Sequence, residues 1–321
     1  MREVGSSECD AILGAMRQVA LAGDRAVSHA DTTSIAAAGQ YLLRRTGPID
    51  VGTLPAIEPA DLRAALQDQE LAHEAVKYLT VMALVDGRLD RDKLRRVLEY
   101  ARTLDVEESY LTESVEAASG HMAWSLADMT RKNMESLTGR KWDKDQDTMA
   151  WFLPYAGAKA QPDLVARYEK LGALPDSSFG KTLWSFYKKN GYSFPGDPAA
   201  LNERFGTPHD STHVISGYDT SARGEILVST FTAAMHVVNP MAGHILPVIF
   251  SWHLDIKIND VAKSTSGGLD PDEFWHAWAR GREVTVDIFG PDWRVWDWAE
   301  RDLEELRSAF NVSPSGAQHR L

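Results

Sequence analysis

Apolar residues recur at three- and four-residue spacings from Pro59 to about Gly120, with charged residues between them. This spacing predicts amphipathic helices. An apolar helix is expected to end at Asp86-Gly87, and the next to begin after Asp90, whose carboxylate can cap it. The apolar positions that define the two faces are Ala64, Leu66, Leu71, Ala75, Leu79 and Met82, then Leu94, Val97, Leu98 and Ala101.

The rest of the chain carries the same kind of pattern less clearly. Residues 1–59 are Ala-rich and weakly patterned, and residues 165–312 alternate helical stretches with Gly/Pro loops. No period-2 alternation extends over several strands, so we predict an all-α fold. We expect a helical or irregular N-terminal extension (1–59), a helical module (60–150), a second helical domain (165–312) and a disordered tail (313–321), with the domain boundary near residues 150–165.

The length, net charge and cysteine count of the chain exclude several classes of protein. The 321 residues suggest about two domains. A net charge of −12 argues against a nucleic-acid partner, because an acidic protein repels phosphate. One cysteine, Cys9, excludes an intramolecular disulfide and a cysteine zinc site, which favours a reducing, cytoplasmic setting.

Membrane-targeting features are absent from the pattern. The N-terminus carries acidic residues where a signal peptide is basic and then apolar. The most apolar stretch, Phe231–Trp252, is interrupted by His236, Asn239, Pro240 and His244 and does not read as a spanning helix. Any membrane contact is therefore expected at the surface.

The stretch His209–Glu225, HDSTHVISGYDTSARGE, carries the clearest chemistry. His209 and His213 are four residues apart, so a helix places both imidazoles on one face, where both can reach one metal ion. Asp210 and Glu225 offer carboxylates to the same site. Two histidines with carboxylates suit zinc or non-haem iron, and the spacing does not choose between them. Pro208 suits the first position of this helix, with Thr207 as its cap.

The pattern H-D-x-x-H-x(11)-E, with Gly224 before the Glu, resembles the signature of the coenzyme Q (ubiquinone) biosynthesis protein 4 family. Leu174–Phe186 resembles the family's upstream L-P-x-G-T-F-G segment, from which Asp176 and the serines depart. Gly281-Arg282 and Leu303–Val312 resemble its closing helices. The resemblance spans about residues 165–312.

This resemblance implies an all-α domain that holds a divalent metal, zinc first and Fe²⁺ or Mn²⁺ as alternatives, through His209, Asp210, His213 and Glu225. It also implies a peripheral membrane protein, on the inner face of the membrane, that binds a prenylated aromatic or quinone-like lipid. Other quinone-biosynthesis proteins and a second copy of the chain are implied partners. An apolar groove for the prenyl tail can be lined by Phe231–Trp252.

Three functions stay open at this point. One is a metal-dependent lyase that decarboxylates a prenylated hydroxybenzoate-like ring, with or without oxidation. Another is a lipid-binding scaffold with a structural metal. The third is a hydrolase of the HD type, for which His209-Asp210 would need partners such as His121 and Asp255.

Ala83–Val106, ALVDGRLDRDKLRRVLEYARTLDV, resembles the tellurite-resistance TerB-like helical module, over about residues 60–150. Two interpretations of the acidic residues remain. Either Asp86 forms the turn and Asp90 caps the next helix, or both bind a metal ion. The acidic run Asp143, Asp145 and Asp147 lacks the Gly and Glu of a calcium loop and reads as a solvated charge run. His236, His244 and His253 read as half-buried helix residues, or one of them orients a metal ligand.

Overall fold

The structure is a computed structural model that describes residues 4–120, 122, 131–132, 135, 141, 160–257 and 264–315. Within these ranges the chain forms thirteen α-helices and no β-strand, which confirms the all-α prediction. None of the helices described is both long enough and apolar enough to cross a membrane. The helices are α1 (Ser6–Ala20), α2 (His29–Tyr41), α3 (Pro59–Ala65), α4 (Gln69–Met82), α5 (Arg91–Thr103), α6 (Ser109–Ala118), α7 (Pro162–Lys170), α8 (Phe179–Asn190), α9 (Glu203–Ser216), α10 (Ala222–Met235), α11 (Leu246–Trp252), α12 (Pro271–Glu283) and α13 (Leu303–Ala309).

The chain folds into two compact units. Unit 1 comprises residues 1–130 and 245–279, and unit 2 comprises residues 131–244 and 280–321. The sequence places a single boundary near residues 150–165, whereas residues 245–279 pack with the N-terminal helices. The predicted N-terminal extension, 1–59, likewise lies in unit 1.

A buried tryptophan accounts for the return of the chain to unit 1. Trp275 on α12 donates its indole hydrogen to the hydroxyl of Ser34 on α2, at 2.8 Å, and it is fully buried. Its ring meets Tyr78 of α4 edge to face, with centroids 5.5 Å apart. Burial of an indole requires a partner for its N–H, and Ser34 supplies one.

The turn before α5 confirms the predicted cap and shows what its carboxylates do. Asp90 accepts hydrogen bonds from the backbone amides of Asp92 and Lys93, at 2.8 and 3.1 Å. The ammonium of Lys93, 1% exposed, lies 2.9 Å from Asp86 and 3.2 Å from Asp31. Arg25 pairs with Asp90. Cations of the chain itself thus neutralise the acidic residues here.

In unit 2, α8 and α13 pack against α9, the helix that carries the two candidate histidines. The first turn of α8 is held by backbone hydrogen bonds from the amides of Phe179 and Gly180 to the carbonyls of Arg301 and Ala299, both at 2.8 Å. A side chain at Gly180 would place its Cβ 2.7 Å from the Ala299 carbonyl, so glycine is required there. The predicted tail begins at Ser313, whose carbonyl accepts a hydrogen bond from Arg280.

Candidate metal centre

Helix α9 begins earlier than the sequence suggests. Asn202 caps it by accepting a hydrogen bond from the amide of Arg204 at 3.0 Å, and Pro208 lies inside the helix. The expectation that Thr207 caps the helix and Pro208 opens it is therefore wrong. The physical reason is that the Thr207 hydroxyl bonds Tyr168, at 2.7 Å, so it is not directed at the helix amides.

Three of the predicted ligands come together. The Nε2 atoms of His209 and His213 lie 3.1 Å apart. The Glu225 carboxylate lies across the pair, with Oε2 3.3 Å from His209 and Oε1 3.5 Å from His213. The His213 side chain is 1% exposed and that of His209 is 32% exposed, so the cluster opens to solvent on the His209 side.

The orientation of His213 is set by the turn that follows α9. Its Nδ1 lies 3.0 Å from the carbonyl oxygen of Tyr218, and this hydrogen bond places the proton on Nδ1. The Nε2 lone pair then faces His209 and Glu225. A histidine that binds a metal commonly donates its other ring hydrogen in this way. The ring of Phe186 also stacks on His213, with centroids 5.5 Å apart.

Glu225 reaches the histidines because the chain reverses over five residues. Gly217 ends α9 in the left-handed conformation, with φ +82°, and Ser221 begins α10 by accepting a hydrogen bond from Gly224 at 3.1 Å. A Cβ on Gly224 would lie 2.0 Å from the Asp219 carbonyl oxygen. The glycine before the glutamate is therefore a steric requirement of the turn that delivers Glu225.

The charges of the cluster reinforce one another. Burial favours the neutral form of His209, but the hydrogen bond and the negative charge of Glu225 outweigh it, and the pKa of His209 is raised. Burial opposes ionisation of Glu225 too, yet the electrostatic attraction of His213 and the hydrogen bond from His209 lower the pKa of that carboxyl. Glu225 also lies in the first turn of α10, where the helix dipole favours a negative charge.

The donor set fits a divalent cation. Neighbouring ligand atoms around a tetrahedral zinc are about 3.3 Å apart when each bond is about 2.0 Å. The two imidazole nitrogens, 3.1 Å apart, are close to that spacing. Each of them lies 3.3–3.5 Å from a different oxygen of Glu225, and one donor atom from each of the three residues lies within 4.8 Å of the others. Among the residues that the structure describes, this group is the one set of three or more His, Cys, Asp or Glu side chains that could hold a metal. The donor types do not choose between zinc and iron.

Asp210, the fourth predicted ligand, is placed differently. Its Oδ2 accepts a hydrogen bond from the hydroxyl of Tyr187 on α8, at 2.5 Å, and the residue is 8% exposed. Burial raises the pKa of Asp210, and the two imidazoles and Tyr187 only partly offset this. The set that the structure brings together is His209, His213 and Glu225.

Two arginines from distant parts of unit 2 hold the C-terminal end of α9. Arg307 donates to the carbonyls of Val214 and Ile215, at 2.7 and 2.9 Å. Arg280, 3% exposed, donates to Ser216 at 2.9 Å. These carbonyls have no partner within the helix, and cations are favoured at this end of the dipole. The arginines fix α9 next to the turn that orients His213.

The three other histidines that the sequence singles out, His236, His244 and His253, are buried. His236 ends α10 and bonds the Asp287 carboxylate at 2.8 Å. His244 lies on a π-helical turn, Pro240–Ile245, with its ring centroid 5.8 Å from that of His236. Burial and repulsion from His236 and His209 lower the pKa of His244 to about 3. In unit 1, His253 bonds the Val85 carbonyl at 3.1 Å and the Leu269 amide at 3.2 Å, so both its ring nitrogens have structural partners.

Spacing along the chain gave no signal for several residues that shape the site. Tyr187, Phe186, Arg280 and Arg307 read as core aromatics or surface charges in the sequence. Of the HD-type partners, Asp255 lies in unit 1, and His121 lies outside the described residues. The acidic run Asp143, Asp145 and Asp147 also lies outside them.

Comparison of the chain with protein-family models and with curated proteins finds no match.

Proposed function

We propose that this protein is a divalent-metal-dependent enzyme that removes the carboxylate from a prenylated hydroxybenzoate-like ring, with or without oxidation at the same carbon. The observation that supports a metal-dependent role is the cluster of His209, His213 and Glu225, whose donor atoms lie within 4.8 Å of one another. Catalytic zinc sites commonly use three protein ligands of this kind, which leaves a coordination position for substrate.

The three candidate ligands have different roles in this proposal. His213 presents Nε2 because Tyr218 holds its Nδ1 hydrogen, and Glu225 supplies negative charge opposite the two imidazoles. His209, the most exposed of the three, lies at the side from which a substrate would approach. A divalent cation held by His209, His213 and Glu225 would supply a Lewis acid for a ring oxygen, where negative charge develops as the bond to the carboxylate carbon breaks. A proton from solvent would then replace the carbon dioxide at the ring carbon, and in the oxidative variant dioxygen would be the oxidant.

The substrate class follows from the resemblance of residues 165–312 to the coenzyme Q biosynthesis protein 4 family. The same proposal has four further parts. The protein binds the prenyl tail of its substrate, contacts a membrane surface, associates with other quinone-biosynthesis proteins and forms a homodimer. The TerB-like resemblance of residues 60–150 adds an accessory helical module. Zinc is the first expectation for the metal, with Fe²⁺ or Mn²⁺ as the alternatives.

The test compares the full chain with His213→Ala and with His73→Ala, a histidine of unit 1 whose side chain is 40% exposed. Elemental analysis measures bound metal, and release of carbon dioxide from a short-chain prenylated hydroxybenzoate measures turnover under air and under nitrogen. We expect His213→Ala to lose both metal and turnover, and His73→Ala to keep both. Turnover by a metal-free His213→Ala protein contradicts the proposal.

The scaffold alternative predicts a different result from the same samples. A lipid carrier retains a prenyl lipid through purification, visible by mass spectrometry, and turns over no substrate. Turnover of a phosphate ester that depends on the metal would instead favour the hydrolase alternative. Either outcome with an intact metal site overturns the decarboxylase proposal and leaves the metal centre in place.

A further inference from the structure

Helix α8 contacts α9 through two consecutive residues with different partners. The ring of Phe186 stacks on His213, at an interplanar angle of 27°. The hydroxyl of Tyr187 donates to Asp210, and Tyr187 is 3% exposed. One helix therefore fixes a candidate ligand with an aromatic ring and a neighbouring carboxylate with a hydrogen bond.

Tyr187 is itself part of a buried polar network along one face of α9. Tyr168 donates to the Glu203 carboxylate at 3.0 Å, so its single proton is used there. The Thr207 hydroxyl, 2.7 Å away, must then donate to the Tyr168 oxygen. Glu203, Thr207 and Asp210 follow one another at four- and three-residue spacings, which places them on one face of the helix. The phenol that holds Asp210 is thus packed against a neighbour that is also fixed.

Asp210 is close to the metal cluster without joining it. It precedes His213 by three residues on the same helix and follows His209 directly, and its charge interacts with those of both histidines and of Glu225. A short hydrogen bond from a phenol to a buried carboxylate is stronger than a neutral one. Tyr187 therefore holds Oδ2 of Asp210 and competes with a metal ion for that oxygen.

We propose that Tyr187 is a positioning residue that keeps Asp210 out of the metal's coordination shell, so that the ion has three protein ligands and an open position. The inference rests on the proposed metal site and adds a determinant of its ligand number. Zinc sites with four protein ligands are structural, whereas sites with three bind a further ligand. The Tyr187–Asp210 hydrogen bond then determines whether this one site can bind substrate or only holds a metal ion.

Cobalt(II) provides the test, because its visible spectrum reports coordination number and exogenous ligands. The full chain is titrated with Co²⁺ and then with thiocyanate, alongside Tyr187→Phe and Tyr192→Phe. Tyr192 is the matched control, since its ring lies 6.3 Å from that of Tyr187 but is 43% exposed. We expect the wild type and Tyr192→Phe to bind thiocyanate. In Tyr187→Phe, release of Asp210 should weaken thiocyanate binding about tenfold and change the Co²⁺ spectrum.

The double variant Tyr187→Phe/Asp210→Asn should recover the thiocyanate response, since an amide competes poorly for the metal. Asp210→Asn alone should keep Co²⁺ affinity, and this measurement stands even where Tyr187→Phe does not fold. Unchanged thiocyanate binding in folded Tyr187→Phe, or a tenfold loss of Co²⁺ affinity in Asp210→Asn, overturns the inference and leaves the proposed metal site intact. A wild type that binds no Co²⁺ overturns the metal site itself.

Discussion

The ring of His213 donates its Nδ1 hydrogen to the carbonyl oxygen of Tyr218, 3.0 Å away, in the turn that joins α9 to α10. The same turn brings Glu225 to the opposite side of the imidazole, with Oε1 3.5 Å from Nε2. One short loop therefore selects the tautomer of one candidate ligand and delivers another. This arrangement, and the packing within each unit, lead to four testable predictions.

Metal binding should release a proton from His209. Glu225 raises the pKa of His209 above 6.5 in the metal-free protein, and a metal ligand must be deprotonated. Zinc affinity should therefore fall about tenfold per pH unit below the raised pKa. Titration calorimetry in two buffers of different ionisation enthalpy measures the proton. Glu225→Gln should reduce the release at pH 7, and equal release from both proteins would contradict this account.

Gly224→Ala should destabilise the protein, although alanine normally improves a helix by about 1 kcal/mol over glycine. The new methyl would lie 2.0 Å from the Asp219 carbonyl oxygen, which forces the turn before α10 to move. We expect a loss of about 1–3 kcal/mol in urea unfolding, together with weaker metal binding as Glu225 shifts. Gly5→Ala is the control, because its methyl meets nothing nearer than 3.3 Å. A more stable Gly224→Ala protein would refute the steric argument.

His244 should make the protein less stable in acid. Burial, with repulsion from His236 and His209, lowers its pKa to about 3, whereas the unfolded chain titrates near 6.5. Between these values the unfolded state binds more protons, so the stability contributed by His244 is present above pH 6.5 and is lost as the pH falls below it. Relative to His244→Gln, the wild type should lose about 2 kcal/mol between pH 7 and pH 5.

Urea unfolding at several pH values measures this difference. His73→Gln, at a side chain that is 40% exposed, serves as the control. Parallel pH profiles for the wild type and His244→Gln would show that His244 does not remain neutral in the folded protein.

Lys93→Met should strongly destabilise unit 1. Lys93 is 1% exposed and lies between Asp31 and Asp86, and its removal leaves buried carboxylates without a cation. Breaking a buried ion pair on one side typically costs about 3–5 kcal/mol. The free energy of unfolding in urea measures the loss, with Lys77→Met as the control for a more exposed pair, 19% exposed at the lysine.

The double variant Lys93→Met/Asp31→Asn should regain part of the lost free energy of unfolding, because it removes one of the two carboxylates that Lys93→Met leaves without a cation. A Lys93→Met protein as stable as Lys77→Met would show that the buried pairs carry no net stabilisation.

The sequence identified those parts of the site that depend on local spacing. His209 and His213 share a helix face because four residues make about one turn, and Asp90 caps α5 because its carboxylate directly precedes the helix. The glycine next to Glu225 was part of the recognised pattern, but its cause, a carbonyl five residues earlier, is visible only in the folded turn.

Contacts between distant residues could not be predicted in this way. Tyr187 is 23 residues from Asp210, and Arg307 is 92 residues from Ile215. Periodicity predicts which face of a helix is buried, but it does not identify the residues that pack against that face. For that reason the pattern predicts Asp210 as a ligand without showing its bond to Tyr187, and it assigns residues 245–279 to the second domain without showing that they pack in unit 1.

The division of the chain also bears on the order in which the protein folds as it is synthesised. Ser34 and Trp275 lie 241 residues apart, yet they share a buried hydrogen bond within unit 1. Helices α1 to α6 leave the ribosome long before α12, and α7 to α10 of unit 2 are made in the interval. Domains usually fold in the order of their synthesis. In this protein, unit 1 is the first to be synthesised, but its core is complete only after residues 245–279 have been made.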